Sequence, residues 1–93
     1  MEEIRKTLSQ NKYYLVEKFN IDELAVFGSY SRDEENSDSD IDIMVSFKKP
    51  IGLEFVDLSL ELEKILNHKI DLVSKNAIKP KMMKKISGEL IYV

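Results

Sequence analysis

The chain has 93 residues, 43% of them hydrophobic and 33% charged, with 14 Lys+Arg against 17 Asp+Glu and a net charge of −3. That suffices for one modest core and is too apolar and too evenly charged for a disordered chain or a basic nucleic-acid wrapper. The lack of cysteine excludes a disulfide framework, a thiolate metal site and a cysteine nucleophile, and one histidine, His68, is too few for a His-rich zinc centre.

In chain order, residues 2–19 read as a helix, with Ile4, Leu8, Leu15 and Phe19 at helical spacing and Val16 beside them. The apolar run Leu24-Ala25-Val26-Phe27 reads as a buried strand that stops at Gly28. The polar stretch GSYSRDEENSDS, residues 28–39, reads as a loop with room for one helical turn. Residues 40–47 alternate, with Ile41, Ile43, Val45 and Phe47 on one face and Asp40, Asp42, Met44 and Ser46 on the other. A helix over 52–67 carries a broad apolar face from Leu53, Val56, Leu60, Leu62, Ile65 and Leu66. A strand over 69–74, a basic helix over 77–86 starting near Pro80, a stop at Gly88 and a last strand over 90–93 complete the order α-β-β-α-β-α-β. No apolar run approaches the ~20 residues of a membrane span, and the first residues lack a signal-peptide core. The expectation is a soluble, cytoplasmic α+β protein, one domain over 1–93, with a sheet covered by helices.

Chemistry concentrates between Gly28 and Val45. Gly28-Ser29 follows a buried strand, where glycine permits a sharp turn and exposed amides can cradle an anion, although such a dipeptide is also an ordinary turn. Asp40 and Asp42 stand two apart on a strand, so their carboxylates share a face and repel. A divalent cation relieves that repulsion, and so does a solvated edge strand. Asp71 interrupts the apolar strand Ile70-Asp71-Leu72-Val73, where it needs partners: a metal, a proton to accept, or backbone donors at a strand end. Asp38, Asp40 and Asp42 space like an EF-hand, but Ile43 and Lys49 stand where that loop needs Gly and Glu. No Walker lysine motif occurs. Tyr13, Tyr14, Phe19, Phe27, Phe47 and Phe55 read as core or interface. His68 reads as a turn residue, and Lys79, Lys81, Lys84 and Lys85 as a solvated helix face or a docking surface.

Gly28-Ser29-Tyr30-Ser31-Arg32, then Ser39-Asp40-Ile41-Asp42 eleven positions after Ser29, then Asp71 on a later strand, together resemble the minimal nucleotidyltransferase (MNT) family of the DNA polymerase β-like superfamily. The resemblance covers essentially the whole chain. It implies the nucleotidyltransferase palm, an α+β fold with α/β-type layers and a small mixed β-sheet. It implies that Gly28, Ser29 and Arg32 bind the nucleotide triphosphate, with Arg32 alternatively pairing with Asp33, Glu34 or Glu35. It further implies that Asp40, Asp42 and Asp71 are catalytic and hold Mg²⁺, two ions, with Asp71 also activating an attacking hydroxyl. The family usually carries Gly after the motif arginine, where this chain has Asp33.

The resemblance also implies a function. A palm this small leaves acceptor recognition to a second molecule, in this family typically a small helical HEPN ribonuclease toxin, with the MNT protein as antitoxin. The reading is Mg²⁺-dependent transfer of a nucleoside monophosphate, AMP from ATP or another NTP, to a hydroxyl on that partner. No membrane or direct nucleic-acid contact is expected, and a homodimer or heteromer is open. Two alternatives stand beside it: an antitoxin that neutralises its partner by occlusion without catalysis, and a nucleotidyltransferase acting on a small molecule of the aminoglycoside type.

Overall fold

A computed structural model describes residues 1–36 and 38–93. The elements are α1 (Glu2–Phe19), β1 (Ile21–Phe27), β2 (Ile41–Phe47), α2 (Glu54–Leu66), β3 (Ile70–Ser74), α3 (Pro80–Ile86) and β4 (Ile91–Tyr92), with short 3₁₀ turns at Gly28–Tyr30, Lys75–Ala77 and Ser87–Glu89. This is the order expected from periodicity. The loop expected over 28–39 contains Ser37, which lies outside the described residues.

Local chemistry explains the boundaries. α1 has Glu2 and Glu3 in its first turn and Lys18 in its last, matching the helix dipole. It ends at Asn20 in the left-handed region (φ 55°), and α2 ends in the same way at Asn67 (φ 50°). Asparagine tolerates that conformation better than most residues, so both helices stop cleanly. α3 opens on Pro80, where the missing N–H costs nothing.

The four strands lie in the order β3-β2-β1-β4. β1 pairs antiparallel with β2 and with β4, whereas β2 and β3 are parallel, joined through α2. A parallel pair requires such a crossover. The sheet is therefore mixed, as the resemblance implied. β1 starts at Ile21, three residues before the apolar run, because Ile21 pairs with Phe47 across a register irregularity.

Leu8, Leu15 and Phe19 of α1 and Leu58 and Leu62 of α2 cover one sheet face. They pack there with Ile21, Leu24, Val26, Ile41, Ile43, Val45 and Ile70. The other face also buries side chains. Ala25 pairs with Met44, and both are fully buried, with Ile86 of α3 nearly so. Met44 shares Asp42's face as expected, but α3 lies over that side and keeps it from solvent.

The expected face of α2 is too broad. Leu58 and Leu62 are fully buried, with Phe55, Ile65 and Leu66 packed against the same cluster, whereas Leu53 is 84% exposed and Val56 and Leu60 are more than half exposed. One sheet takes up only one side of a helix, so the second stripe is left outward. The aromatics also divide. Phe19 is buried, Phe47 and Phe55 meet edge to face at 6.5 Å, and Tyr14 donates to Glu61 (2.8 Å) across the two helices, while Tyr13 points outward.

Candidate active site

The site forms where β1 ends and β2 and β3 begin. Gly28 closes β1 with φ +77°, a backbone conformation that favours glycine. A Cβ built there would collide with the carboxylate of Asp42, whose Cγ would stand at 3.0 Å. The glycine is thus required twice, by its dihedral and by the acid seated against it. The turn then closes on itself. The Ser31 and Arg32 amides donate to the Gly28 carbonyl (3.1 and 3.2 Å), and the Glu34 amide donates to the Ser29 carbonyl (2.8 Å).

Asp42 lies opposite Phe27 on β1 and in parallel register with Asp71 on β3. Register partners share a sheet face, so these two carboxylates stand side by side. Burial raises the Asp42 pKa to about 6, with the charge and hydrogen bond of Asp71 adding to the shift, Asp40 contributing further and Arg32 opposing it. Asp42 therefore senses the three other charged residues named from the sequence.

Two of those positions differ from expectation. β2 begins at Ile41, so Asp40 precedes the strand, exposed, in a shallow groove with Asp38, Ser39, His68 and Lys69. Among the described residues no three Asp, Glu or His side chains converge tightly enough to ligate one ion. Asp71, expected to need partners within an apolar strand, is exposed, because on the edge strand β3 it faces away from the cluster that buries its neighbour Ile70. What it meets is Asp42. The donor set is all carboxylate, and the Asp42–Asp71 repulsion is of the kind a hard divalent cation relieves, so these residues fit Mg²⁺.

Arg32 is held by Glu34 (Nε–Oε1 2.7 Å) and by Glu89 (Nη1–Oε2 3.0 Å). The second oxygen of Glu89 accepts from the Gly28 amide at 3.0 Å. No pattern near Gly28 announces Glu89, which arrives from the turn before β4. His68 does more than occupy a turn. Its Nδ1 lies 3.0 Å from the Lys69 carbonyl, which only accepts, so Nδ1 carries a proton. Its Nε2 lies 3.0 Å from the Tyr30 hydroxyl, tying the Gly28 turn to the start of β3. Asp33, at the position where Gly is usual, has φ 56°. The position calls for the left-handed region, which Asp tolerates better than most side chains. Lys81, Lys84 and Lys85 are exposed, as expected of a solvated face. Lys79 is exposed too, and it also borders, with Phe27, Val73, Ile78, Met82 and Ile86, an apolar hollow of about 300 Å³ on the carboxylate side of the sheet.

Fold and site define a nucleotidyltransferase, and the comparisons agree. Residues 2–93 match the family model described as polymerase β, nucleotidyltransferase, and the chain belongs to that family. Among its relatives is the protein adenylyltransferase MntA of Thermococcus cleftensis, 42% identical, covering all of this chain and 95% of the relative. A Methanocaldococcus jannaschii protein assigned as a protein adenylyltransferase is also 42% identical, over all of this chain and 97% of its own. A solved protein assigned to the minimal nucleotidyltransferases superposes with a TM-score of 0.78 at 27% identity, over 95% of this chain and 93% of that one. A toxin–antitoxin structure with AMP-PNP shares the fold, with a TM-score of 0.73 at 21% identity over 89% of this chain and 69% of that one.

Proposed function

We propose that the 93 residues act as one minimal catalytic domain that transfers AMP from ATP to a hydroxyl on a partner protein, and that the partner is a HEPN toxin which the transfer silences. The observation that carries this is the Asp42 carboxylate seated against Gly28 and paired in register with Asp71, an acidic pair pressed onto an anion-binding turn. The adenylyltransferase relatives support the donor and the protein acceptor. A structural neighbour described as an AMPylated HEPN toxin in complex with an MNT antitoxin supports the partner.

In this reading the Gly28 and Ser29 turn and Arg32 hold the triphosphate, and the hollow beside Phe27 gives the nucleoside an apolar surface. Asp40, Asp42 and Asp71 would hold Mg²⁺. A metal there would supply charge neutralisation at the attacking and leaving oxygens. Asp71 takes the proton of the acceptor hydroxyl as its oxygen bonds to the α-phosphorus; the α–β phosphoanhydride bond breaks and pyrophosphate leaves.

Calorimetry with ATP and Mg²⁺ tests the site, with the Asp40→Asn/Asp42→Asn double variant beside it. Mg²⁺-dependent binding that vanishes in the variant is expected. Labelled ATP with a purified HEPN partner then reads transfer, and absence of label on the partner despite nucleotide binding would sink the acceptor assignment. The ion pairs that already neutralise Arg32 favour a second reading, an antitoxin acting by occlusion. The double variant separates the two, since an occluding antitoxin still protects cells from the toxin without its carboxylates.

A further inference from the structure

We propose that Glu89 is an internal competitor for the nucleotide phosphates, and that releasing it sets nucleotide affinity. This rests on reading Gly28, Ser29 and Arg32 as the phosphate-binding turn. One Glu89 oxygen accepts from the Gly28 amide and the other from Arg32 Nη1, each at 3.0 Å. A phosphate makes the same demands of the same two donors: a backbone N–H and a guanidinium, bridged by one anion. Glu34 also pairs with Arg32, but its side chain is 62% exposed and Glu89's only 20%, and of the two it is Glu89 that reaches the backbone donor.

The carrier of Glu89 is suited to release. It ends the three-residue turn Ser87–Glu89, between the seven-residue α3 and the two-residue β4, and β4 is paired to β1 at only two positions. With phosphates on the Gly28 turn, Glu89 would stand beside them, so like charge drives it out. A ligand must then bring enough charge and countercharge to replace it. This makes Glu89 a positioning residue that sets affinity.

The experiment is calorimetry of the whole protein with inorganic tripolyphosphate and with Mg²⁺ and ATP, comparing wild type, Glu89→Gln and Glu89→Ala, each checked by thermal unfolding. Expected is a dissociation constant about fivefold lower in Glu89→Ala, the size of effect that one partly exposed ion pair and one hydrogen bond confer, and about twofold lower in Glu89→Gln, whose amide oxygen can still accept from the Gly28 amide. A brace for the turn predicts the opposite sign. If wild type binds and the folded variants bind more weakly, Glu89 is a brace, and if they bind equally it does not compete; either result defeats the proposal alone. If none of the three proteins binds either probe, the phosphate-turn reading fails and the proposal falls with it. Should Glu89→Ala not fold, the near-isosteric Glu89→Gln decides.

Discussion

On one face of the sheet, Leu24, Val26, Ile43 and Val45 meet α1 and α2 in a wholly apolar cluster. On the other face the same strands bury Ala25 and Met44 but end at Gly28, Asp42 and Asp71. Strand alternation makes the two faces nearly independent, because every change of face is one residue away. The first face stabilises; the second spends stability on two carboxylates that repel. The lesson is that the acidic pair is tolerable because it sits at the strand ends, with Asp71 exposed and Asp42 only half-buried, while the dry face supplies the folding free energy.

The sharpest break in that comparison is Asp42→Asn. We expect transfer to fall on the order of a thousandfold, about 4 kcal/mol of transition-state stabilisation, with the fold intact by circular dichroism. Transfer at the wild-type rate would remove Asp42 from the chemistry. On the dry face, Ile43→Ala should cost about 3 kcal/mol in urea unfolding, through lost burial and a residual cavity. A cost under about 1 kcal/mol would mean that face is less tightly packed than its burial indicates.

Gly28→Ala links the faces to the site. The added methyl meets the Asp42 carboxylate at a positive φ, so about 2 kcal/mol of stability and all nucleotide binding should be lost. If the variant binds ATP as wild type does, the turn does not face the ligand.

The pH dependence sharpens the contrast further. Burial and the neighbouring carboxylates push Asp42 up to about 6 in the folded protein, against 3.8 for an ordinary aspartate, so the folded state holds a proton that the unfolded state releases. The stabilisation is complete below about pH 4 and is lost as pH rises through about 6. For a half-exposed group the loss is about 1 kcal/mol, after discounting for solvent screening. Metal-free wild type should lose this between pH 4 and 6, and Asp42→Asn should not. Parallel stability profiles for the two proteins would contradict the assignment. The smallest effect is Asp33→Gly, which relieves a left-handed side-chain position and should raise stability by about 0.5 kcal/mol in thermal unfolding. A destabilised variant would show that the Asp33 side chain contributes something its φ does not.

Much of this protein is local and was therefore readable in advance. Helical spacing from Ile4 to Phe19, alternation from Ile41 to Phe47, the stop at Gly28 and the Asp40-Ile41-Asp42 triplet each depend on residues a few positions apart, and periodicity reports those directly. Even the departure at Asp33 was visible as a residue type, although only its φ of 56° gave the physical reason for the usual glycine. What closure of the chain decided is the set of partners. Asp71 meets Asp42 because the α2 crossover sets a parallel register; one step of slip would turn Asp71 to the other face. Glu89 reaches Gly28 across 61 residues because β4 returns to the edge of β1. Leu53, Val56 and Leu60 stay outward because one sheet covers only one side of α2. Local sequence sets backbone conformation and which way a side chain faces, whereas distances between remote side chains are set only when sheet register and helix packing are satisfied together.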